Sequence, residues 1–158
     1  NDVETQEPVF RPPLSQQVQQ LENKLLNANE RYQQLDKFTI SLDELKQFKL
    51  EQLKYFCSEA IYGGFISSVN EYEFGFNELD QANFTQQTLL IVAAGGNYTA
   101  PIAWKTKNSG VVELTVTEFN TIINEAAAHK LTQQNKYWQL EQEVLQAAAP
   151  NEVDAIVW

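Results

Sequence analysis

The sequence has 158 residues, 43% of them hydrophobic and 11% aromatic, which suffices for one ordinary domain with an appendage. Its 21 acidic and 11 basic residues give a formal net charge of −10 at pH 7, and such a surface repels phosphate backbones and anionic lipids. Nucleic acid is therefore an unsuitable partner, and the lack of a long apolar run or a signal peptide argues against membrane insertion.

The N-terminal part of the chain divides into a leader and a heptad segment. Residues 1–13 contain three prolines and three acidic residues, which predicts an extended leader. Residues 14–38 repeat apolar side chains at heptad positions a and d, with almost only polar residues between them. These positions are occupied by Leu14, Val18, Leu21, Leu25, Ala28, Tyr32 and Leu35.

This narrow apolar seam predicts a coiled-coil stalk that self-associates, because a helix packed on a globular core needs a wider apolar face. The alternative interpretation is a helix that folds back on its own domain. A large Tyr32 at position a and a small Ala28 at position d leave the number of strands open. We expect the seven seam residues to carry oligomerisation.

A compact domain is predicted over residues 41–158, and its first helix has clear signals at both ends. Ser41 followed by Glu44 has the spacing of a capping box, and Gly63-Gly64 stops the helix. Apolar residues recur between these ends at helical spacing, so this helix should face the core.

Two hairpins are predicted on either side of a second helix. The first hairpin spans residues 65–76, where alternating aromatic residues indicate a half-buried strand and Asn70-Glu71 forms the turn. Asn77 should cap the helix, which ends near Gly95-Gly96. The second hairpin spans residues 101–115, with a glycine in its turn.

The last part of the domain should be a long helix. Thr115 and Glu118 form another capping box, and Pro150 should stop the helix near residue 149. The core-facing stripe is predicted to be Phe119, Ile123, Ala127, Leu131, Trp138 and Leu145. A final short turn of helix should dock Val153, Ile156 and Trp158.

This order of elements predicts an α+β fold, in which an N-terminal coiled-coil helix is followed by a small antiparallel sheet of two hairpins packed against helices. The predicted parts are the leader at 1–13, the stalk at 14–38 and the α+β domain at 41–158.

No pattern in the sequence supports catalysis, a cofactor or a metal. His129 is the single histidine and has no second ligand at metal-binding spacing, and no serine lies in a nucleophile elbow. Cys57 is the single cysteine and fits a small core residue of a helix. Trp104 and Trp138 could line a sugar site, but their positions favour packing in the core. We expect no catalytic residue, no cofactor and no metal.

Several local patterns follow each other in a defined order. They are Gly64-Phe65, Asp80-Gln81-Ala82-Asn83-Phe84, Trp104-Lys105-Thr106, Leu114-Thr115-Val116-Thr117-Glu118-Phe119, His129 and Ile156-Val157-Trp158. In this arrangement residues 42–158 resemble an uncharacterised domain of bacteriophage and prophage tail proteins, which often lies towards the C-terminus of tail-fibre-associated chains. The resemblance implies no catalytic residues.

The resemblance implies a structural, non-enzymatic component of a phage or phage-derived tail, acting as an adaptor or attachment module in the fibre, tip or baseplate. Its expected partners are further copies of the chain, with a trimer favoured over a dimer, and other tail proteins. Its expected location is the virion tail, after synthesis in the bacterial cytoplasm. Two alternatives stay open: a tail-fibre assembly chaperone, and a receptor module that binds host-surface glycans through exposed aromatic residues.

Overall fold

The structure is a computed structural model that describes residues 13–17, 25–37 and 39–158. Residues 14–17 form a helical turn. The helices that follow are α1 (Ala28–Gln33), α2 (Leu42–Tyr62), α3 (Glu78–Ala93), α4 (Val116–Gln146) and α5 (Pro150–Ala155). The strands are β1 (Phe65–Ile66), β2 (Glu73–Phe74), β3 (Ile102–Lys105) and β4 (Val111–Leu114). The chain has an α+β fold, as the sequence predicts.

Four of the described helices begin at side-chain caps. Asn27, Ser41, Asn77 and Thr115 each accept a hydrogen bond from the backbone N–H three residues later, and the acidic residue at that position accepts one from the cap's own N–H. These reciprocal bonds satisfy backbone donors that the first helical turn leaves unpaired. The predicted starts of α2, α3 and α4 are confirmed.

The end of α4 differs from the prediction by three residues. α4 ends at Gln146, and Pro150 opens α5 instead of merely stopping the helix before it. Proline suits this position because its fixed φ matches a first helical turn and its missing N–H would be unpaired there anyway. Val153 is completely buried and Trp158 packs against the main core, so the predicted docking of the C-terminal turn is confirmed.

The two hairpins form separate two-stranded antiparallel sheets, whereas the sequence predicts one sheet made of both. β1 pairs with β2 so that Phe65 lies opposite Phe74. The turn between them places Asn70 and Glu71 at φ values of 51° and 55°, which confirms the predicted position of the turn. The hairpins meet where the backbone N–H of Lys107 donates to the Glu73 carbonyl at 2.8 Å.

The main core lies between α2, α3, α4 and the hairpins and is rich in aromatic rings. Phe74, Phe84 and Phe119 lie at its centre, and none of them is more than 3% exposed. The ring centroid of Phe84 is 6.0 Å from that of Phe74 and 5.9 Å from that of Phe119. Each aromatic pair at such a separation stabilises the fold by about 0.5–1.5 kcal/mol, in addition to the stabilisation from burying the rings. These rings therefore hold the helices on the hairpins.

The buried stripe of α4 lies beside the predicted one. Phe119 is buried as predicted, but the next buried positions are Ile122 and Ala126. Leu131, Trp138 and Leu145 are each 50% exposed, and Ala127 is exposed as well. The packing predicted for these four side chains is wrong, because α4 carries apolar residues on two adjacent stripes and its contact with α2 buries only one of them.

The helix predicted over residues 14–38 is interrupted. Helical backbone at Leu25 gives way to a bend at Leu26, and Asn27 caps a new helix, α1. The Asn27 side-chain oxygen accepts the N–H of Glu30 at 2.9 Å, which is how a cap begins a helix. From Leu25 onward, the structure therefore differs from one straight coiled-coil helix.

α1 packs on the following domain through Tyr32. This residue is 3% exposed and lies in a second buried cluster with Leu45, Ala147 and Val153. Leu35 packs against the same cluster. Residues 27–37 thus follow the alternative interpretation of the sequence, a segment that folds back on its own domain.

Candidate functional site

The single histidine has a packing role. The Ile61 carbonyl lies 3.2 Å from Nε2 of His129, and Nε2 is the donor because a carbonyl oxygen can only accept. The imidazole ring also lies beside Phe65 and Phe76, with centroid separations of 5.8 and 6.4 Å. His129 therefore joins α4 to the end of α2 and the first hairpin.

The single cysteine is buried and free of disulfide bonds. The Sγ of Cys57 donates a weak hydrogen bond to the Gln133 carbonyl at 3.5 Å, and burial raises the pKa of the thiol. Because the thiolate is the reactive form of cysteine, this residue is suited to packing, as the sequence predicts.

A carboxylate on α4 clasps the first hairpin. Glu125 accepts hydrogen bonds from the hydroxyls of Ser67 and Ser68 and from the backbone N–H of Ser68 at 3.0 Å. Burial by itself raises the pKa of the Glu125 carboxyl, but these hydrogen bonds outweigh burial and lower the pKa. Both carboxylate oxygens are occupied, so this group acts as a structural clasp.

A second polar group, the Tyr32 network, joins α1, α2 and α5. The Tyr32 hydroxyl donates to a carboxylate oxygen of Asp154 at 2.9 Å, and Lys37 forms an ion pair with the same oxygen. Lys49 is 2% exposed; its Nζ lies 3.9 Å from the centre of the Tyr32 ring and donates to the Ile156 carbonyl at 2.9 Å. The network fastens the segment before the domain to the C-terminal end.

Burial and the neighbouring groups shift the pKa values of the side chains in the Tyr32 network. Hydrogen bonds from Lys37 and Tyr32 lower the pKa of the Asp154 carboxyl. Burial raises the pKa of the Tyr32 phenol, and the hydrogen bond to Asp154 acts in the same direction. Burial lowers the pKa of the Lys49 ammonium, against the attraction of Asp154. The phenol is thus kept neutral while the carboxylate beside it stays ionised.

The residues predicted to oligomerise do not share one described surface. Leu14 and Leu25 are 76% and 87% exposed. Tyr32 is buried, and Ala28 and Leu35 are half-buried. Two further positions lie outside the described residues: Val18 and Leu21. Oligomerisation through this set stays a prediction.

A cleft of about 390 Å³ lies between α3 and β3, within the range of about 300–1,000 Å³ that is usual for ligand sites. Its lining consists of Asp80, Asn83, Gln86, Gln87 and Leu90 on α3 and of Ala103, Trp104 and Lys105 on β3. The side chains of Asn83, Gln86 and Lys105 have no hydrogen-bond or ion-pair partner within the described part of the chain. The sequence alone did not indicate this cleft, because its two walls lie in different elements.

Trp104 forms part of the cleft wall and part of the core. Its ring stacks on Phe84, with centroids 4.4 Å apart and an interplanar angle of 21°. The ring of Phe119 lies 5.5 Å from it. The predicted packing of Trp104 is confirmed, and at most one face of its ring is left for the cleft.

The described residues contain no group of three or more His, Cys, Asp or Glu side chains that could hold a metal ion. In the same part of the chain, no helix is both long enough and apolar enough to span a bilayer.

The fold and the site define a small α+β domain with a polar cleft beside a two-stranded sheet. A family model described as "Domain of unknown function (DUF4376)" matches residues 44–157, and the chain belongs to this family. The match begins inside α2 and ends one residue before the C-terminal Trp158. Comparisons with curated proteins and with solved structures gave no match.

Proposed function

We propose that this chain is a structural, non-enzymatic component of a bacteriophage or phage-derived tail, in which the α+β domain is an adaptor or attachment module. The assignment to a tail rests on the resemblance of residues 42–158 to tail-associated domains. The proposed location is the virion tail.

The observation that supports a non-enzymatic role is that the potentially reactive side chains are buried or already hydrogen-bonded within the fold. His129 donates to a backbone carbonyl, Cys57 is buried, and Glu125 is occupied by two serines. Catalytic acids, bases and nucleophiles need access to a substrate and a pKa suited to their task. These three groups instead hold elements of the fold together, as expected in a module that acts through its surface.

For self-association, we propose that the chain before α1 supplies the contact. Leu14 and Leu25 are largely exposed, although apolar heptad residues normally pack against a partner helix. Tyr32 is already buried in its own chain, so the contact would end before Asn27. A parallel trimer would place identical domains around one axis and make their weak contacts multivalent.

Light scattering on the whole chain tests this oligomer. Leu25→Ser should convert a trimeric mass to a monomeric mass, because it puts a hydroxyl into the proposed apolar seam. Leu89→Ser is the matched control, since Leu89 is 62% exposed on α3 and lies outside the seam. A monomeric parent chain, or a trimer that Leu25→Ser leaves intact, would overturn the proposed contact.

Quantitative mass spectrometry of purified particles from the strain that encodes the chain tests the assignment to a tail. We expect the chain in finished particles at a constant ratio to the other tail proteins. Its presence only in assembly mixtures would favour the alternative of a tail-fibre assembly chaperone. Its absence from both preparations would overturn the tail assignment.

A further inference from the structure

The strand that borders the cleft has an open edge. β3 and β4 are paired with Lys105 opposite Val111, and beyond this pair the N–H of Thr106 donates to the Gly110 carbonyl at 2.7 Å. Hydrogen-bonded and non-hydrogen-bonded pairs alternate along an antiparallel ladder. Since the Thr106 pair is hydrogen-bonded, the pairs made by Lys105 and, two residues earlier, by Ala103 are not.

The backbone N–H and C=O groups of Ala103 and Lys105 therefore point away from β4, along the outer edge of β3. Both residues also line the cleft. No hydrogen bond from another described element reaches these four groups. Both residues are exposed. A row of unpaired backbone donors and acceptors is the template on which an added strand pairs.

The opposite wall of the cleft determines which side chains such a strand would present. Asn83 and Gln86 on α3 offer amide groups without partners. Asp80 and Lys105 contribute one carboxylate and one ammonium, so the lining has no net charge. Uncharged polar side chains such as Thr, Ser, Asn and Gln complement this wall, because amides both donate and accept hydrogen bonds.

A saccharide is the other ligand that a tryptophan and several amides could bind. Sugar rings usually pack on an open aromatic face, but the Trp104 ring stacks on Phe84 and has Phe119 close by. A saccharide would also leave the regular row of outward groups on Ala103 and Lys105 without a defined role. The geometry therefore favours a strand over a sugar.

We propose that the open edge of β3 binds an extended, uncharged polar segment of a partner protein by β-strand addition, in the cleft between β3 and α3. β3 has four residues, so the paired length is roughly 13 Å at about 3.3 Å per residue. Backbone pairing would supply the attraction, and Asn83 and Gln86 would select the side chains. This inference rests on β3 and α3 alone and does not depend on the assignment to a tail.

Ala103→Pro tests the edge directly. Proline removes the outward N–H and places a ring at the edge, but it leaves the ladder intact because this N–H does not bond to β4. Glu113→Pro is the matched control, since Glu113 lies opposite Ala103 and its N–H points to the other edge of the hairpin. Circular dichroism and urea unfolding establish that each variant is folded.

The probe is a display library of random octapeptides, selected on the immobilised full chain. We expect the enriched peptides to be rich in uncharged polar residues and to lack a central proline. They should bind Ala103→Pro roughly tenfold more weakly, because an added strand loses one of its donors and meets the proline ring, and should bind Glu113→Pro unchanged. Bound peptide should also slow amide hydrogen exchange at Ala103 and Lys105.

Three results would overturn the proposal: no enrichment above a blank surface, equal binding to Ala103→Pro, or loss of binding only in Glu113→Pro. Binding of chitohexaose or maltohexaose that Asn83→Ala abolishes, without any enriched peptide, would replace the strand with a saccharide. If Ala103→Pro fails to fold, hydrogen exchange of the parent chain, measured with and without peptide, tests strand addition instead. Protection by peptide at Ala103 and Lys105 then supports strand addition, and its absence excludes it.

Discussion

The Tyr32 hydroxyl donates a hydrogen bond of 2.9 Å to the carboxylate of Asp154, 122 positions further along the chain. This bond joins α1 to α5, and buried Lys49 on α2 lies against the same ring. α1 precedes the span of the family match, which begins at residue 44. The chain thus adds a short helix to the family domain and fastens it to the domain's last helix.

Tyr32→Ala should destabilise the folded chain by about 3–4 kcal/mol, because removing a buried aromatic ring leaves a cavity and exposes its neighbours. Tyr32→Phe keeps the ring and should cost about 0.5–1 kcal/mol, since water can replace the hydroxyl at the partly exposed Asp154. Urea unfolding at neutral pH measures both. Tyr55→Phe is the control for loss of a hydroxyl on a half-buried ring. Unchanged stability in Tyr32→Ala would show that α1 does not pack on the domain in solution.

The alkaline limit of stability should depend on Tyr32. The folded state raises the pKa of this phenol, whereas the unfolded chain titrates it near pH ~10. The folded state binds more protons between these two values, so the stabilisation is complete below pH ~10 and is lost as the pH rises. Lys49 acts in the opposite sense, because its lowered pKa makes the folded state bind fewer protons in its own titration range.

Comparing the parent chain with Tyr32→Phe isolates the phenol, since Lys49 is common to both. The free energy of unfolding of the parent should fall more steeply above pH ~10, by at most about 1.4 kcal/mol per pH unit. Tyr62 and Tyr137 also have raised pKa values, so the stability of the variant still falls with pH, but less steeply. Urea unfolding at several alkaline pH values measures the slope for both chains, and identical slopes would contradict the raised pKa of Tyr32.

Gly64→Ala should disrupt the first hairpin. Gly64 has a φ of +88°, and a Cβ built there would lie 1.9 Å from the Phe74 carbonyl oxygen. The backbone must move to accommodate this Cβ, so we expect the free energy of unfolding to fall by about 3 kcal/mol or more. Gly95→Ala is the matched control: its φ is +57°, but the space around it is open, so only about 1 kcal/mol of left-handed strain is expected. Equal shifts in thermal unfolding would rule out the close approach of Gly64 to β2.

Glu125→Gln should lower the free energy of unfolding by about 1–2 kcal/mol. The substitution weakens the clasp on the first hairpin, because it replaces one acceptor oxygen with an amide donor beside serine donors. Glu143→Gln is the control, since Glu143 is exposed and accepts only a 3.4 Å bond from Gln139. Urea unfolding at neutral pH measures both. A similar loss in the two variants would argue against a specific clasp.

The same clasp should contribute to acid stability. The pKa of Glu125 is lowered in the folded state, so its contribution is present above pH ~4.3, the unfolded pKa, and is lost as the pH falls through the folded value. Glu125→Gln should remove this part of the acid destabilisation. Urea unfolding across acidic pH measures the difference, and parallel curves for the two chains would contradict the lowered pKa.

Most boundaries of the elements could be predicted because their signals are local. Ser41, Asn77 and Thr115 each start a helix through bonds within one turn, so the residues that form each cap are adjacent in the sequence. The turn at Asn70-Glu71 was equally local. Capping and turn chemistry depend on a few adjacent residues, and these are visible in the sequence.

The buried faces were harder to predict. Apolar spacing indicates that a side chain will pack, but not against which surface. Tyr32 fits a coiled-coil position as well as it fits the pocket formed with Leu45 and Val153. Trp138 lies on an apolar stripe of α4, yet it is half exposed because α2 packs on the adjacent stripe.

Composition and local spacing therefore suffice for an α+β chain with the caps of α2, α3 and α4, its turns and its hairpins, and for the core positions of Cys57 and Trp104. The equally local cap at Asn27 was missed, because the heptad pattern continues through it. Tertiary contacts alone settled the packing of α1, the pairing of Glu125 with serines 57 and 58 positions away, and the open edge of β3 beside α3. The physical reason is range. A cap is complete within one helical turn, whereas burial, hydrogen bonds between distant elements and free strand edges depend on where the rest of the chain comes to lie.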